Sequence, residues 1–220
     1  MATVFITGSN RGIGLELVRA LQGRGDHVIA TCRSASDALR DTGATVVEGI
    51  DVSDDACIPR LREALGGGAP DIVICNAGVL SAETLGDIDW DAMRRQFEVN
   101  TLGPLRVAEA VLPSMQRGGK FVIITSRMGS VEDNTSGGMY GYRVSKAGVN
   151  MVGRSLAHDV ADRGIAVQLL HPGYVRTDMT KGNGLIDPDE SAATLIARID
   201  ELTAEQSGTF RHQNGEMLPW

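Results

Sequence analysis

Short runs of apolar residues, rich in valine and isoleucine, alternate along the chain with longer stretches in which apolar residues recur at helical spacing. Turn-forming residues bound each run, which is typical of buried strands. Strands are predicted over residues 3–7, 27–32, 45–50, 71–77, 120–126 and 165–172. Ile13, Leu17 and Leu21 mark the first helix, and two long helical patterns cover residues 91–115 and 140–164.

This alternation of strands and helices predicts an α/β fold of the Rossmann type. Right-handed crossovers between successive parallel strands place helices on both faces of a doubly wound sheet. The helical pattern over residues 91–115 is interrupted by Gly103-Pro104. Because no break in composition marks a second unit, residues 1–220 are predicted to form a single domain.

Composition narrows the partners and the compartment. Apolar residues make up 42% of the chain and aromatic residues 4%, so the core should be aliphatic. The net charge of −7 argues against nucleic acids and anionic membranes as partners, because both attract basic surfaces. No apolar run reaches the roughly 18 residues that span a bilayer, and a strand at residues 3–7 argues against a signal peptide. We therefore expect a cytoplasmic protein with Cys32, Cys57 and Cys75 as buried free thiols.

Three glycines, Gly8, Gly12 and Gly14, lie between the first strand and the first helix. Glycines at this turn let the pyrophosphate of a dinucleotide approach the backbone and let the helix pack closely on the strand. The helix N-terminus then offers free N–H groups to the phosphates. The spacing predicts a dinucleotide site, and the alternative is a structural turn that binds no nucleotide.

The residues around the predicted ribose site favour NADP(H). A site for NAD usually has an acid at the end of the second strand, and here Cys32 takes that position and Arg33 follows. Arg11 lies within the glycine-rich turn. Two guanidinium groups suit a 2′-phosphate, which they can bind bidentately. The alternative is that both are solvated surface arginines.

Tyr142 and Lys146 lie four residues apart on the helix predicted over 140–164, so they share a face. The chain has three lysines against eighteen arginines, which makes a lysine at this spacing notable. A nearby ammonium stabilises a phenolate and lowers the pKa of the tyrosine, so that the phenol can exchange a proton with a carbonyl or alcohol oxygen. The alternative is a surface pair on a helix, which the spacing alone does not exclude.

Six motifs then occur in order: TGSNRGIG at 7–14, NAG at 76–78, Asn100, TS ending at Ser126, YRVSK at 142–146 and HPGYVRT at 171–177. Together they cover residues 3 to about 180, and the chain that carries them resembles the short-chain dehydrogenase/reductase family. The segments 134–143 and 200–220 are similar to the branch that contains Sniffer-type carbonyl reductases and the C-factor signalling protein.

The resemblance implies roles for four residues. Tyr142 would be the general acid in carbonyl reduction, and Lys146 would lower its pKa and hold the nicotinamide ribose. Ser126 would hydrogen-bond the substrate oxygen, and Asn100 would order a water beside Lys146. The interval of 16 residues between Ser126 and Tyr142 is longer than the family's commonest, so Ser130 is the second choice.

The resemblance also implies a cofactor site. Asp51 and Val52 would contact the adenine, Asn76, Ala77 and Gly78 would pack beside its ribose, and the segment from Pro172 to Thr177 would hold the nicotinamide. The residues expected to bind NADP(H) are Gly8, Asn10, Arg11, Gly12, Ile13, Gly14, Arg33, Asp51, Val52, Asn76, Ala77, Gly78, Tyr142, Lys146, Pro172, Gly173, Val175 and Thr177. Tyr174, Met128 and Met179 are expected to border the substrate pocket, and His171 to be a packing residue.

The function expected from these residues is NADPH-dependent reduction of small or apolar aldehydes and ketones, and the alternative is a non-enzymatic signalling protein that senses NADP(H). The short chain after Thr177 predicts an open site with little lid. The family also suggests a homodimer through the helices at 91–115 and 140–164, with Met93, Met151 and Val111 as exposed contacts. The stripe Phe97, Leu105, Ala108 and Leu112 should cover the sheet, and the outer arginines Arg94, Arg95, Arg106 and Arg154 oppose association.

Overall fold

The computed structural model describes all 220 residues and contains one seven-stranded sheet. Its strands are β1 (Thr3–Thr7), β2 (His27–Thr31), β3 (Thr45–Val47), β4 (Ile72–Cys75), β5 (Lys120–Ile124), β6 (Ala166–His171) and β7 (Thr209–His212). All neighbouring strands pair in parallel, in the order β3-β2-β1-β4-β5-β6-β7. The order reverses between β1 and β4, which is where open α/β sheets bind their ligands.

Helices cover both faces of the sheet, which confirms the predicted fold class. They are α1 (Gly12–Gly23), α2 (Asp37–Arg40), α3 (Cys57–Ala64), α4 (Trp90–Phe97), α5 (Gly103–Val111), α6 (Tyr140–Asp159) and α7 (Pro188–Glu201). One buried cluster joins the sheet to α3, α5 and α6, and the other joins it to α1, α2 and α7. No helix combines the length and the hydrophobicity that crossing a bilayer requires.

The strands explain the two clusters, because successive side chains of a strand point to opposite faces. Phe5 and Phe121 belong to the first cluster, whereas Val4, Ile6 and Val122 belong to the second. Central strands are therefore apolar on both faces, and this produces the continuous apolar runs in the sequence. β3 is shorter than its predicted run, and it lies at the edge of the sheet.

The long helical pattern over 91–115 is divided in the structure. A π-helical turn, Glu98–Leu102, separates α4 from α5, and π turns occur often at functional sites. The C-terminal elements α7 and β7 are additions to the predicted strands and helices. Pro188 at the start of α7, followed by Asp189 and Glu190, is a helix-start signal that could have identified it.

Several expectations about the outer helix faces are wrong. Val111 is completely buried and cannot form a contact between subunits, whereas Phe97 and Leu105, expected to cover the sheet, are 40% and 41% exposed. The Arg106 guanidinium is mostly buried and pairs with Asp55 and Glu98 instead of lying free in solvent. A π turn holds more residues than an α-helical turn, so a stripe spaced at 3.6 residues through both helices does not stay on one face.

Candidate active site

A cavity of about 600 Å³ lies along the carboxyl ends of β1, β2, β4, β5 and β6. The predicted residues that line it are Gly8, Asn10, Arg11, Gly12, Ile13, Gly14, Arg33, Asp51, Val52, Asn76, Ala77, Gly78, Tyr142, Lys146, Pro172 and Thr177. Asn100, Ser126, Gly173 and Val175 lie outside this lining. The structure thus brings together residues that the sequence separates by up to about 170 positions.

Two glycines make the turn after β1 possible. Gly8 has a φ of 70°, and a Cβ there would lie 2.7 Å from the Ala77 Cα. A Cβ on Gly14 would collide with the Gly8 carbonyl oxygen, so α1 approaches the turn more closely than any other residue would allow. No side chain caps the N-terminus of α1. Its free N–H groups therefore suit a phosphate group at the cavity.

The end of β4 is fastened to this turn by Asn76. Its Nδ2 donates to the carbonyl oxygens of Thr7, at 3.2 Å, and Gly8, at 3.0 Å. The Thr7 hydroxyl accepts from the backbone N–H groups of Asn76 and Ala77. These bonds hold the two strand ends on either side of the point where the strand order reverses.

The end of the cavity where the sequence predicts the ribose presents guanidinium groups and no acid at the end of β2. Cys32 occupies that position and is buried, and burial raises the pKa of its thiol. Arg33 follows as an exposed residue of the lining. Arg11 pairs with Asp178 at 3.0 Å, and both side chains are exposed. Asp178, which the sequence did not single out, therefore lies opposite the glycine-rich turn.

Asp51 lies farther along the lining, in the turn after Ile50. Burial opposes ionisation of its carboxyl, but hydrogen bonds from the Ser53 hydroxyl and N–H, with Arg33 and Arg95 nearby, leave its pKa lowered. The carboxylate is thus charged at neutral pH, and it is already held by Ser53.

Tyr142 and Lys146 lie one turn apart on α6 and are both buried. The Lys146 Nζ is 5.7 Å from the centroid of the Tyr142 ring and donates to the Ile124 carbonyl oxygen at 3.0 Å. Burial lowers the pKa of Lys146 to about 8. Burial raises the pKa of Tyr142 to about 12, and the neighbouring Ser126 hydroxyl opposes this rise only in part. In the chain alone, burial therefore outweighs the lowering expected from the lysine, and the phenol is protonated at neutral pH.

The geometry separates the two candidate serines. Ser126 lies close enough to the Tyr142 phenol to lower its pKa, and its Oγ accepts from the Met128 N–H at 3.2 Å. The Ser130 hydroxyl donates to the Trp220 carbonyl oxygen at 3.1 Å and accepts from the Asp133 N–H at 3.0 Å. Ser130 therefore holds the loop, and Ser126 is the serine beside the tyrosine.

Asn100 lies in the π turn and is buried. Its Oδ1 accepts from the Val79 N–H, and its Nδ2 donates to the Val79 carbonyl oxygen, both at 2.8 Å. Nδ2 also donates to the Ser145 hydroxyl at 3.0 Å. A Cβ on Gly78 would lie 3.3 Å from the Asn100 Oδ1 and 3.9 Å from the Lys146 Nζ, so both polar groups border Gly78.

The segment after β6 is held from outside the cavity. Gly173 has a φ of 90°, and the buried Val175 pairs with Ile186 in a parallel bridge. The Pro172 carbonyl oxygen accepts from the Ser191 hydroxyl at 2.8 Å, so α7 supports this segment. Gly173 and Val175 shape the backbone, whereas Pro172 and Thr177 reach the lining.

Other residues of the predicted pocket divide between lining and support. Met179 lines the cavity, whereas Tyr174, which is 50% exposed, does not. Burial lowers the pKa of His171 to about 3, and its ring lies edge-on against His212 at 4.8 Å between centroids. These contacts agree with a packing residue. Val79 and Val99, beside two of the motifs, also line the cavity, although no separate signal in the sequence points to them.

Comparisons with known proteins agree with this geometry. The family model for short chain dehydrogenase matches residues 2–185. The chain is 46% identical to 1-hydroxy-2-glutathionyl-2-methyl-3-butene dehydrogenase of Rhodococcus sp. (strain AD45), over all of both chains. It is 43% identical to C-signal of Myxococcus xanthus over 70% of this chain and 94% of that protein.

Solved structures show the same fold over the whole chain. Carbonyl reductase Sniffer of D. melanogaster superposes with a TM-score of 0.90 at 29% identity, with all of both chains covered. NADPH-bound carbonyl reductase from chicken fatty liver superposes with a TM-score of 0.89 at 29% identity, covering 100% of this chain and 99% of that one. The resemblance inferred from the motifs is confirmed. The chain belongs to the short-chain dehydrogenase family and is an oxidoreductase of that family.

Proposed function

We propose that this protein is an NADPH-dependent reductase of small or apolar aldehydes and ketones. The observation that carries the proposal is the position of Tyr142, a protonated phenol that lies beside Ser126 and Lys146 and opens on the same cavity as the glycine-rich turn. The carbonyl reductases among the structural neighbours support this substrate class.

The cavity fits NADP(H) by the chemistry of its donors. Phosphates suit the uncapped N-terminus of α1, and a 2′-phosphate suits Arg33 and Arg11. The residues that would hold the adenosine half are Gly8, Asn10, Arg11, Gly12, Ile13, Gly14, Arg33, Asp51, Val52, Asn76, Ala77 and Gly78. Those that would hold the nicotinamide half are Tyr142, Lys146, Pro172, Gly173, Val175 and Thr177. When bound, the reduced nicotinamide supplies a hydride to the carbonyl carbon.

The side chains supply orientation and the proton. Ser126 hydrogen-bonds the substrate oxygen, and Tyr142 gives that oxygen its phenolic proton as the hydride reaches the carbon. The carbonyl gains one hydride and one proton and becomes an alcohol. Lys146, whose pKa of about 8 keeps it mostly protonated at neutral pH, stabilises the phenolate that Tyr142 leaves behind. Asn100 and Lys146 both border Gly78, where a water ordered by Asn100 would return a proton through Lys146.

A second candidate reaction runs in the opposite direction. The Rhodococcus relative is named as the dehydrogenase of a hydroxyl compound that carries a glutathionyl group, and it is 46% identical over its whole length. In this direction Tyr142, as the phenolate, takes the proton of the alcohol. A thioether of glutathione that bears a neighbouring hydroxyl is therefore the alcohol substrate to test first.

A third candidate is a non-enzymatic signalling protein that senses NADP(H). Its support is the similarity to C-signal over 70% of this chain. The presence of Asn100, Ser126, Tyr142 and Lys146 together favours catalysis, since sensing a nucleotide does not need a proton donor.

An assay of both directions decides between these candidates. Aldehydes and ketones are mixed with NADPH, and hydroxylated compounds, including the glutathione thioether, with NADP⁺, while the absorbance of reduced nicotinamide is followed. Tyr142→Phe is the inactive control. The reductase is supported if wild type consumes NADPH with a carbonyl compound and Tyr142→Phe does not. Activity confined to the thioether favours the second candidate, and NADPH binding without turnover of any compound favours the sensor.

A further inference from the structure

A buried carboxylate outside the cavity contacts the first turn of α6, which carries Tyr142. Glu83 lies in the segment after β4, residues 76–84, which we call the β4 loop, and only 2% of its surface is exposed. Its Oε2 accepts from the Gly141 N–H at 3.1 Å. Its backbone carbonyl oxygen accepts from the Met139 N–H at 2.9 Å. Glu83 thus holds the start of α6 on both sides of Tyr140.

The start of α6 needs this support. Its N-cap residue, Met139, has a φ of 53°, a left-handed conformation that costs free energy in a residue with a Cβ, and it makes no side-chain cap. The first N–H groups of a helix have no partners within the helix, and they favour a negative charge. A carboxylate from a distant part of the chain supplies the missing cap.

The hydrogen bonds around Glu83 require two acceptor oxygens. Its Oε1 accepts from the Ser81 hydroxyl and from the Gln96 Nε2, both at 2.7 Å, and its Oε2 accepts from Gly141. These donors are a hydroxyl, an amide and a backbone N–H, with no cation among them. A glutamine at position 83 would place an NH₂ group against a donor on one side or the other.

Gln96 completes the cluster from α4. Its Oε1 accepts from the Ser81 N–H at 3.0 Å, and it is 1% exposed. A Cβ on Gly141 would collide with the Gln96 Nε2 and would lie 3.0 Å from the Met93 Cγ. We call Ser81, Glu83, Gln96 and Gly141 the Glu83 cluster. Its packing leaves no room for a side chain at the residue before Tyr142.

The β4 loop therefore connects the glycine-rich turn with α6. At one end of the loop Asn76 hydrogen-bonds to Gly8. In the middle Val79 hydrogen-bonds to Asn100, and at the other end Glu83 hydrogen-bonds to Gly141. Gln96 and Asn100 are four residues apart, so α4 and its π turn hold the loop at two points. We propose that Glu83 is a positioning residue for Tyr142, because its carboxylate caps α6 from the β4 loop and fixes the phenol relative to the glycine-rich turn. This role rests on the proposed reductase function.

Three variants test the proposal. Glu83→Gln removes one acceptor without changing the shape of the side chain. Glu83→Gln combined with Gln96→Glu exchanges the two groups, so that an amide at 83 and a carboxylate at 96 can again satisfy each other and Gly141 when the Ser81 hydroxyl turns to accept. Gly141→Ala pushes Gln96 away, although alanine itself favours helix more than glycine does. Glu63→Gln, an exposed glutamate on α3, is the matched control.

Two measurements are made on each variant. Hydrogen exchange of the peptide 139–146, followed by mass spectrometry, reports the first turn of α6 whether or not the protein is a reductase. We expect faster exchange in Glu83→Gln and Gly141→Ala, and recovery to near wild type in the exchanged pair. The kcat for carbonyl reduction should fall at least tenfold in the two single variants, with KM and the Kd for NADPH within twofold of wild type, and recover in the exchanged pair.

The outcomes separate this proposal from the proposed function. If the wild-type protein shows no turnover, the reductase proposal fails. Hydrogen exchange of the peptide 139–146 still decides whether Glu83 caps α6. Unchanged exchange in Glu83→Gln, or kcat within twofold of wild type in an active protein, overturns the positioning role. The positioning role is also overturned if the exchanged pair does not recover kcat, or if the Kd for NADPH rises by the same factor by which kcat falls. If Glu83→Gln does not fold, Gly141→Ala carries the same test from the other side of the cluster.

Discussion

The Lys146 ammonium lies 5.7 Å from the centroid of the Tyr142 ring and donates a hydrogen bond to the Ile124 carbonyl oxygen, so it borders the phenol without bonding to it. Both side chains are buried, and burial opposes the charged form of each. The neutral phenol and the ammonium therefore coexist at neutral pH. This is the pair of protonation states that carbonyl reduction needs before the proton is transferred.

Removing the phenol oxygen tests the proton donor. Tyr142→Phe deletes the hydroxyl and little volume, and general acid catalysis contributes about 10²–10⁴-fold, so kcat should fall by that factor. The Kd for NADPH, measured by fluorescence titration, should stay within twofold of wild type. Tyr140→Phe, which removes a hydroxyl two residues earlier on the same helix, should retain activity. Comparable turnover in Tyr142→Phe and wild type would show that Tyr142 is not the acid.

The buried Lys146 predicts a change of stability with pH. Its pKa is about 8 in the folded chain against 10.5 as the reference value, so the unfolded state binds more protons between these values. The free energy of unfolding contributed by Lys146 should therefore rise as the pH increases from 8 to 10.5, by on the order of 3 kcal/mol. Below pH 8 the cost of burying the charge is fully present.

Urea unfolding of wild type and Lys146→Met at pH 7 and pH 10 measures this effect, since the methionine variant lacks the titrating group. The measurement stops at pH 10 because the raised pKa of Tyr142 acts in the opposite direction above that value. A difference between the two proteins that is the same at both pH values contradicts the prediction. Lys146→Met should also lose turnover and some affinity for NADPH, because the lysine is proposed to hold the ribose.

Cofactor choice depends on the guanidinium groups at the ribose end of the cavity. NADPH should bind at least tenfold more tightly than NADH, a difference of about 1.4 kcal/mol. Arg33→Asp should weaken NADPH binding and move the preference towards NADH, because it replaces an exposed cation with an acid one residue after the position where NAD sites carry theirs. Titration of both cofactors against both proteins is the measurement. Binding of NADH to wild type that equals that of NADPH would refute the preference.

The ion pair between Arg11 and Asp178 gives a second test of the same site. Asp178 competes with the 2′-phosphate of NADPH for the Arg11 guanidinium. Exposed ion pairs contribute about 0–1 kcal/mol to stability. Asp178→Asn should therefore strengthen NADPH binding by up to about fivefold and leave NADH binding unchanged. Asp187→Asn, which removes the partner of Arg176 outside the cavity, is the control. An equal change for both cofactors would show that Arg11 does not select the phosphate.

The outer faces of α4 and α6 predict a homodimer. Trp90, Val144 and Met151 are 60%, 53% and 68% exposed, and Phe97 adds to the same pair of helices. Exposed apolar residues on neighbouring helices mark an interaction surface, and the family suggests a second copy as the partner. Light scattering at micromolar concentration should give twice the chain mass of 23.4 kDa. Met151→Glu should lower it to the single mass, whereas Leu185→Glu, on a loop away from these helices, should not. A single mass for wild type refutes the dimer.

The elements found from the sequence are those with strong local patterns. The run at residues 3–7 matches β1 residue for residue, because a central parallel strand is apolar on both faces. β7 was missed because Phe210 is its one fully buried residue and charged and polar residues surround it. A strand with one buried side chain carries too little signal to separate it from a loop.

The glycine-rich turn, the order of the motifs and the shared face of Tyr142 and Lys146 can be read from the chain without a structure, because spacing along a strand or helix sets these features. Which helix faces are covered depends on how the elements pack, so Val111 is buried and Phe97 is not. Packing also brings Glu83 to Gly141 across 58 positions and Arg11 to Asp178 across 167. The direction of the Tyr142 pKa shift belongs to this second group. Burial and long-range hydrogen bonds depend on how distant segments pack, and no local pattern in the chain encodes that packing.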